Sequence, residues 1–186
     1  MKRAIIVHGW DFNPDMNWYP WLKKELEKRD YSVIVPSMPE TSEPKINDWV
    51  SYLEKIIGKL DENTLLIGHS IGCQTIMRYL ESSDYNGKVN VIFVAGWFKL
   101  DNLEGEDVEN IAKPWLETQI NFNKIKLKIN NLVVLLSSND PYNCLKENES
   151  IFKEKLGAKV SILKDKGHFT EEDNIKKLPE ILQFIK

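Results

Sequence analysis

The sequence has few cysteines, no excess of positive charge and no long apolar run. Its two cysteines, Cys73 and Cys144, lie in no metal-ligand spacing and suggest no disulfide framework, so we expect a cytoplasmic protein. The formal net charge of −3 argues against a nucleic-acid or anionic-membrane binder, because such proteins need a basic face. The apolar run near the N-terminus is too short for a secretory signal, and no run reaches the length of a membrane span.

What the sequence does contain is a regular alternation of strand-like and helix-like segments. Short apolar runs typical of buried strands occur at Ala4–Val7, Ser32–Val35, Leu65–Ile67, Val89–Ala95, Leu132–Leu136 and Val160–Leu163. Apolar stripes with helical spacing occur at 18–29, 45–60, 73–80, 151–156 and 178–185. This alternation predicts an α/β fold in a single domain, 1–186, with a six-stranded parallel sheet covered by helices on both faces. The doubly wound logic gives the strand order two-one-three-four-five-six.

One segment interrupts the alternation. Residues 97–130 are too many for an ordinary connection between a helix and a strand, and they include the acidic run DNLEGEDVEN. We expect a mostly helical excursion over the C-terminal edge of the sheet that forms a partial lid.

The stretch TLLIGHSIGCQTIM carries the strongest chemical signal. The strand-like run ends at Gly68, the helical stripe begins after Gly72, and Ser70 lies between the two glycines. G-x-S-x-G between a strand and a helix is typical of a nucleophile elbow, in which the serine hydroxyl is held out of the sheet. A glycine-rich turn with a capping serine is the alternative interpretation of these five residues alone.

The loops after the other strands supply the partners that such a serine needs. Asp140 follows strand five in SSNDPY, and His168 follows strand six in KDKGHF. An imidazole can take the serine proton, and a carboxylate can fix the imidazole tautomer. The order Ser70, Asp140, His168 is the order of α/β-hydrolases, so we predict these three as catalytic residues that need no metal and no cofactor. Taken alone, Asp140 before Pro141 could be a helix cap and His168 an ordinary loop histidine.

Backbone amides and aromatic side chains complete the predicted site. The amide of Ile71 and that of Trp10, with Gly9 as the alternative to Trp10, are expected to form the oxyanion hole. Candidate pocket residues near the same edge of the sheet are His8, Phe12, Met38, His69, Trp97 and Phe98. For His8 and His69 a role in shaping the adjacent turns is the favoured alternative.

The chain resembles the small serine hydrolases grouped with retinoblastoma-binding protein nine and their bacterial relatives. The resemblance runs nearly end to end, through VHGW, NWYPWLKKELE, VPSMPETSEPKINDWVSYL, LIGHSIGCQTIMRYL, SSNDPY and GHF. It implies a reduced α/β-hydrolase sheet without leading antiparallel strands. It also implies that Ser70, Asp140 and His168 are the nucleophile, acid and base.

The leading hypothesis is a serine esterase that cleaves small esters or thioesters through an acyl-enzyme. An aminopeptidase-like serine hydrolase is the alternative among enzymes, and a non-catalytic protein-interaction module on a hydrolase scaffold is the alternative outside them. A haloalkane dehalogenase is disfavoured because it would have an aspartate at the position of Ser70. We expect a small-molecule ester-type substrate, and the sequence leaves a protein partner open.

Overall fold

The central feature of the fold is a parallel sheet of six strands. The structure is a computed structural model that describes residues 1–185, and Lys186, the last residue of the predicted domain, lies outside the described residues. The strands are β1 Lys2–Val7, β2 Tyr31–Ile34, β3 Thr64–His69, β4 Val89–Val94, β5 Ile129–Ser137 and β6 Lys159–Leu163. Their order in the sheet is β2-β1-β3-β4-β5-β6, and every neighbouring pair is parallel. The predicted fold class and strand order are confirmed.

Helices connect the strands, as parallel pairing requires. They are α1 Tyr19–Glu27, α2 Ile46–Ile57, α3 Ile71–Ser82, α4 Glu106–Glu117, α5 Phe122–Lys128 and α6 Leu145–Leu156. Gly157 ends α6 in the left-handed conformation (φ 66°, ψ 30°), which a residue without Cβ adopts at little cost. Within residues 1–185, no helix combines the length and the apolar character needed to cross a membrane.

The two faces of the sheet bury two separate apolar layers. In β1, Ile5 and Val7 belong to the layer under α2 and α3, whereas Ala4 and Ile6 belong to the layer under α1. This period of two follows from the pleat, which sends successive side chains to opposite faces. Because both layers are apolar, the strands are continuous hydrophobic runs, and polar groups collect at the strand ends.

The excursion between β4 and β5 contains α4 and α5 and is anchored to the rest of the fold. Arg78 donates to the carbonyls of Trp115 and Thr118 at 2.9 and 3.0 Å, and Trp115 Nε1 donates to the carbonyl of Pro44 at 2.9 Å. Helix α5 packs against α3 and α6. The segment is therefore largely helical, and only its first part, around Leu100 and Val108, reaches the cavity described below.

The C-terminal segment differs from the predicted α-helix. Pro179–Phe184 forms a 3₁₀ helix, with the amide of Ile181 bonded to the carbonyl of Leu178. Pro179 has no N–H, and the apolar residues recur at intervals of three, which a helix with three residues per turn brings to one face. Ile181 is buried there against the layer under α1.

Candidate active site

Ser70 occupies a sharp turn between β3 and α3. Its backbone has φ 53° and ψ −122°, a region that non-glycine residues rarely adopt. The turn is tight enough that a Cβ on Gly72 would lie 2.3 Å from the carbonyl oxygen of Val7, and one on Gly68 would lie 2.8 Å from the backbone of Cys73. Helix α3 therefore begins directly against the end of β1, with Ser70 at its N-terminus.

The loops after β5 and β6 bring two further side chains to this turn. His168 Nε2 lies 2.9 Å from Ser70 Oγ, and His168 Nδ1 lies 2.8 Å from Asp140 Oδ2. The Asp140 side chain is 1% exposed and that of His168 is 11% exposed. A carboxylate can only accept, so Nδ1 carries the proton and Nε2 is free to accept the Ser70 hydroxyl proton.

The loop of His168 is held by hydrogen bonds of its own. The amides of His168 and Thr170 both donate to Asp173 Oδ2, at 2.9 and 3.0 Å. Gly167 makes room for this carboxylate, because a Cβ at Gly167 would lie 1.8 Å from Asp173 Oδ1. The amide of Gly167 in turn donates to Asn139 Oδ1 at 2.8 Å, which ties the His168 loop to the Asp140 loop.

The turn after β1 and the start of α3 supply the backbone amides proposed for the oxyanion hole. A Cβ on Gly9 would lie 3.4 Å from Ser70 Cβ, so the turn after β1 lies beside the serine. The Gly9 amide already donates to Tyr19 Oη at 3.4 Å, whereas within residues 1–185 the amides of Trp10 and Ile71 donate to no other group. We therefore keep Trp10 and Ile71 as the proposed donors.

A cavity of about 500 Å³ opens above Ser70. Its apolar wall consists of Trp10, Phe12, Met16, Ile71, Trp97, Leu100, Leu103, Val108 and Tyr142. Trp97 is buried, and its Nε1–H donates to Ser70 Oγ at 3.4 Å. The charged lining residues are all acidic: Asp11, Glu171, Glu172 and Asp173. Phe12 and Trp97 are thus the two candidate pocket residues that the structure brings to the cavity.

The other four candidate pocket residues lie outside the cavity lining. His8 is fully buried, where its Nδ1 donates to the carbonyl of Gly9 at 2.8 Å and its Nε2 accepts from the amide of Met38 at 3.1 Å. Met38 is 4% exposed and packs in the core. Phe98 packs against the rings of Phe122 and Phe152. These three residues pack within or against the protein interior and are not among the residues that line the cavity.

His69 is the fourth, and it is fully buried. Its Nδ1 lies 2.6 Å from Tyr19 Oη, and its Nε2 lies 2.8 Å from the carbonyl oxygen of His168. Burial, and secondarily the nearby His168, lower the pKa of His69 to about 3. Tyr19 and Asp173 were not identified from the sequence as partners of the site. The local signals for them were the segment NWYPWL, which contains Tyr19, and the segment GHFTEED, which contains Asp173.

The opposite edge of the sheet has a cavity of about 590 Å³, lined by the N-terminal ends of the strands and distant from Ser70. No nucleophile–base pair occurs among its described lining residues. Within residues 1–185, no group of three or more His, Cys, Asp or Glu side chains is arranged to hold a metal ion.

Known proteins are similar to this chain in sequence and in fold. A profile described as serine hydrolase matches residues 4–186. The chain belongs to this family. YdeN of Bacillus subtilis (strain 168) is 28% identical over 189 aligned residues, covering 99% of this chain and 94% of YdeN. Serine hydrolase RBBP9 of Rattus norvegicus is 28% identical over 172 residues, covering 90% and 87% of the two chains.

The crystal structure of the ydeN gene product from B. subtilis superimposes on this serine hydrolase with a TM-score of 0.90. The two are 25% identical, and the match covers 100% of this chain and 97% of the other. The protein is therefore a serine hydrolase with the α/β-hydrolase fold.

Proposed function

We propose that this serine hydrolase cleaves small esters or thioesters through an acyl-enzyme on Ser70. The observation that carries the proposal is the continuous chain from Ser70 Oγ through the His168 ring to Asp140, with distances of 2.9 and 2.8 Å. Such a chain turns a weakly nucleophilic hydroxyl into an alkoxide-like nucleophile at the moment of attack.

Each step of the proposed reaction uses Ser70 and groups from the loops around it. Ser70 Oγ attacks the carbonyl carbon while His168 Nε2 takes its proton, and the Ile71 and Trp10 amides bind the developing oxyanion. The intermediate collapses, and His168 gives the proton to the leaving alcohol or thiol. Water then attacks the acyl carbon with His168 again as base, which releases the acid and restores Ser70.

The lining of the cavity supports an uncharged, moderately sized substrate. The apolar wall from Trp10, Leu103 and Val108 suits an acyl or aromatic group, and about 500 Å³ is within the range of small-ligand sites. Since the lining contains four carboxylates and neither lysine nor arginine, an anionic substrate would be repelled.

The same acidic lining favours the aminopeptidase-like alternative as a second candidate. Glu172 and Asp11 line the cavity near Ser70 and could bind the ammonium group of an aminoacyl substrate. Glu171 is less suited, because it accepts from the amide of Asn17 at 2.7 Å and pairs with Lys176 at 3.2 Å. Turnover of an aminoacyl p-nitroanilide would distinguish this activity from turnover of a simple ester.

The test is p-nitrophenyl butyrate hydrolysis by the wild type, Ser70→Ala and Ser51→Ala. Ser51 lies exposed on α2 and is the matched control. We expect a pre-steady-state burst of p-nitrophenol in the wild type and Ser51→Ala and none in Ser70→Ala. Turnover that survives in Ser70→Ala would contradict the proposal, and absence of turnover on esters and anilides alike would favour the interaction module.

A further inference from the structure

A buried polar network lies directly beneath Ser70 and takes no part in the reaction steps above. His69 and Tyr19 are both 0% exposed, and neither lines the cavity. The two side chains nevertheless reach the candidate base, because His69 bonds the backbone carbonyl of His168 at 2.8 Å. Buried polar groups of this kind are costly unless they are fully satisfied.

The protons in this network can be assigned from its acceptors. The carbonyl oxygen of His168 can only accept, so His69 Nε2 carries the ring proton and donates it. Burial keeps the ring neutral, so Nδ1 has a free lone pair and accepts from the Tyr19 hydroxyl at 2.6 Å. Burial also raises the pKa of Tyr19, so this hydroxyl keeps its proton. The direction of both hydrogen bonds is thereby fixed.

Tyr19 extends the network to the turn that holds the proposed oxyanion donor. Its hydroxyl oxygen accepts from the Gly9 amide and from Asn17 Nδ2, each at 3.4 Å. Asn17 is bonded reciprocally to Glu171: its amide donates to Glu171 Oε1 at 2.7 Å, and its Oδ1 accepts from the Glu171 amide at 2.8 Å. The turn after β1 and the His168 loop are therefore tied together twice, through the buried Tyr19 and His69 and through Asn17 and Glu171 at the cavity wall.

We propose that His69 and Tyr19 are positioning residues for His168: the Tyr19 hydroxyl orients the neutral His69 ring, whose Nε2–H fixes the His168 backbone so that the imidazole stays between Ser70 and Asp140. This inference rests on the proposed function, in which His168 is the general base.

The arrangement suits the chemistry for two reasons. The His69 and His168 rings are 5.5 Å apart between centroids, so a charged His69 would repel the imidazolium that forms when His168 takes a proton. A free carbonyl at His168 would let its loop shift, and a misplacement of about 1 Å at a reacting group can cost about 100-fold in rate.

Two substitutions at His69 separate its two hydrogen bonds. The amide of His69→Gln reaches the place of Nε2 and retains a donor to the His168 carbonyl, whereas the amide of His69→Asn reaches only the place of Nδ1 and retains the contact with Tyr19. Tyr19→Phe removes the hydroxyl alone. Tyr79→Phe is the matched control, because Tyr79 is a buried tyrosine nine residues along α3 from Ser70, roughly 13 Å away along the helix axis.

The readout is the saturation kinetics of Ser70 phosphonylation by a fluorophosphonate, which separates kinact from KI. We expect His69→Asn and Tyr19→Phe to lower kinact by about 10- to 100-fold with little change in KI. His69→Gln should keep most of the wild-type kinact, and Tyr79→Phe should match the wild type. A merely structural role would lower both His69 variants alike, in proportion to their loss of folded protein measured by circular dichroism.

Equal kinact values for His69→Gln and His69→Asn, or a Tyr19→Phe value equal to that of Tyr79→Phe, would overturn the inference while the proposed function stands. A wild type that is not phosphonylated at Ser70 would overturn both the proposed function and the positioning role.

Discussion

Acid should lower the free energy of unfolding through His69, over a pH range and by an amount that can be calculated from its pKa. The pKa of this histidine falls from 6.5 in the unfolded chain to about 3 in the folded protein, chiefly because the ring is buried and secondarily because His168 is near. Between these two values the unfolded chain binds a proton that the folded protein does not, so the free energy of unfolding falls as the pH falls. Above about pH 7 both states are neutral at His69, and its contribution to the pH dependence vanishes.

The magnitude follows from the size of the shift. One pKa unit corresponds to about 1.4 kcal/mol, so the full shift of His69 corresponds to about 5 kcal/mol at the acid end of the window. Between about pH 7 and pH 4.5, the linkage relation gives a loss of about 2.5 kcal/mol from His69 alone. That is a large part of the stability of an ordinary domain.

The assay is urea unfolding of the wild type and of His69→Gln at both pH values. Burial also lowers the pKa of His8, but this histidine is present in both proteins and its contribution cancels in the comparison. We expect the wild type to lose about 2.5 kcal/mol more than His69→Gln on acidification. Parallel pH dependences in the two proteins would refute the reasoning, whatever their absolute stabilities.

Three further predictions concern single side chains. Asp140→Asn should lower ester turnover on the order of 10⁴-fold, because the amide favours the wrong tautomer of the His168 imidazole; steady-state kinetics at neutral pH test this. Asn148→Ala should destabilise the protein by roughly 2–4 kcal/mol in urea unfolding, since Asn148 is fully buried and its Oδ1 accepts from the amides of Phe98 and Lys99 at 2.7 and 2.9 Å. Cys73→Ala should keep its turnover and lose roughly 1 kcal/mol of stability, and a Cys73→Ala variant without turnover would indicate thiol chemistry.

The fold could be predicted from the sequence because the apolar patterns of the strands and helices all indicate the same architecture. Short apolar runs of three to seven residues fit strands buried on both faces, and the stripes between them fit helices packed on one side. The proximity of Ser70, Asp140 and His168 followed from the same logic, because the carboxyl ends of parallel strands meet at one edge. No side-chain geometry had to be known for that step.

The cavity lining and the hydrogen bonds of His69 and Tyr19 could not be predicted in this way. Whether an aromatic or histidine side chain at a strand end faces the cavity or the core depends on the turn that follows it. His8 and Met38 face inward and bond each other across 30 positions of sequence. His69 contacts partners 50 and 99 positions away, and such contacts are set by tertiary packing.

The most direct test of the central claim is to locate the covalent adduct. The protein is treated with a fluorophosphonate, digested, and analysed by tandem mass spectrometry, with Ser70→Ala and Cys73→Ala treated in parallel. The proposed function predicts one phosphonyl group on Ser70 in the wild type and in Cys73→Ala, and no adduct in Ser70→Ala. An adduct on another residue, or undiminished labelling of Ser70→Ala, would contradict it.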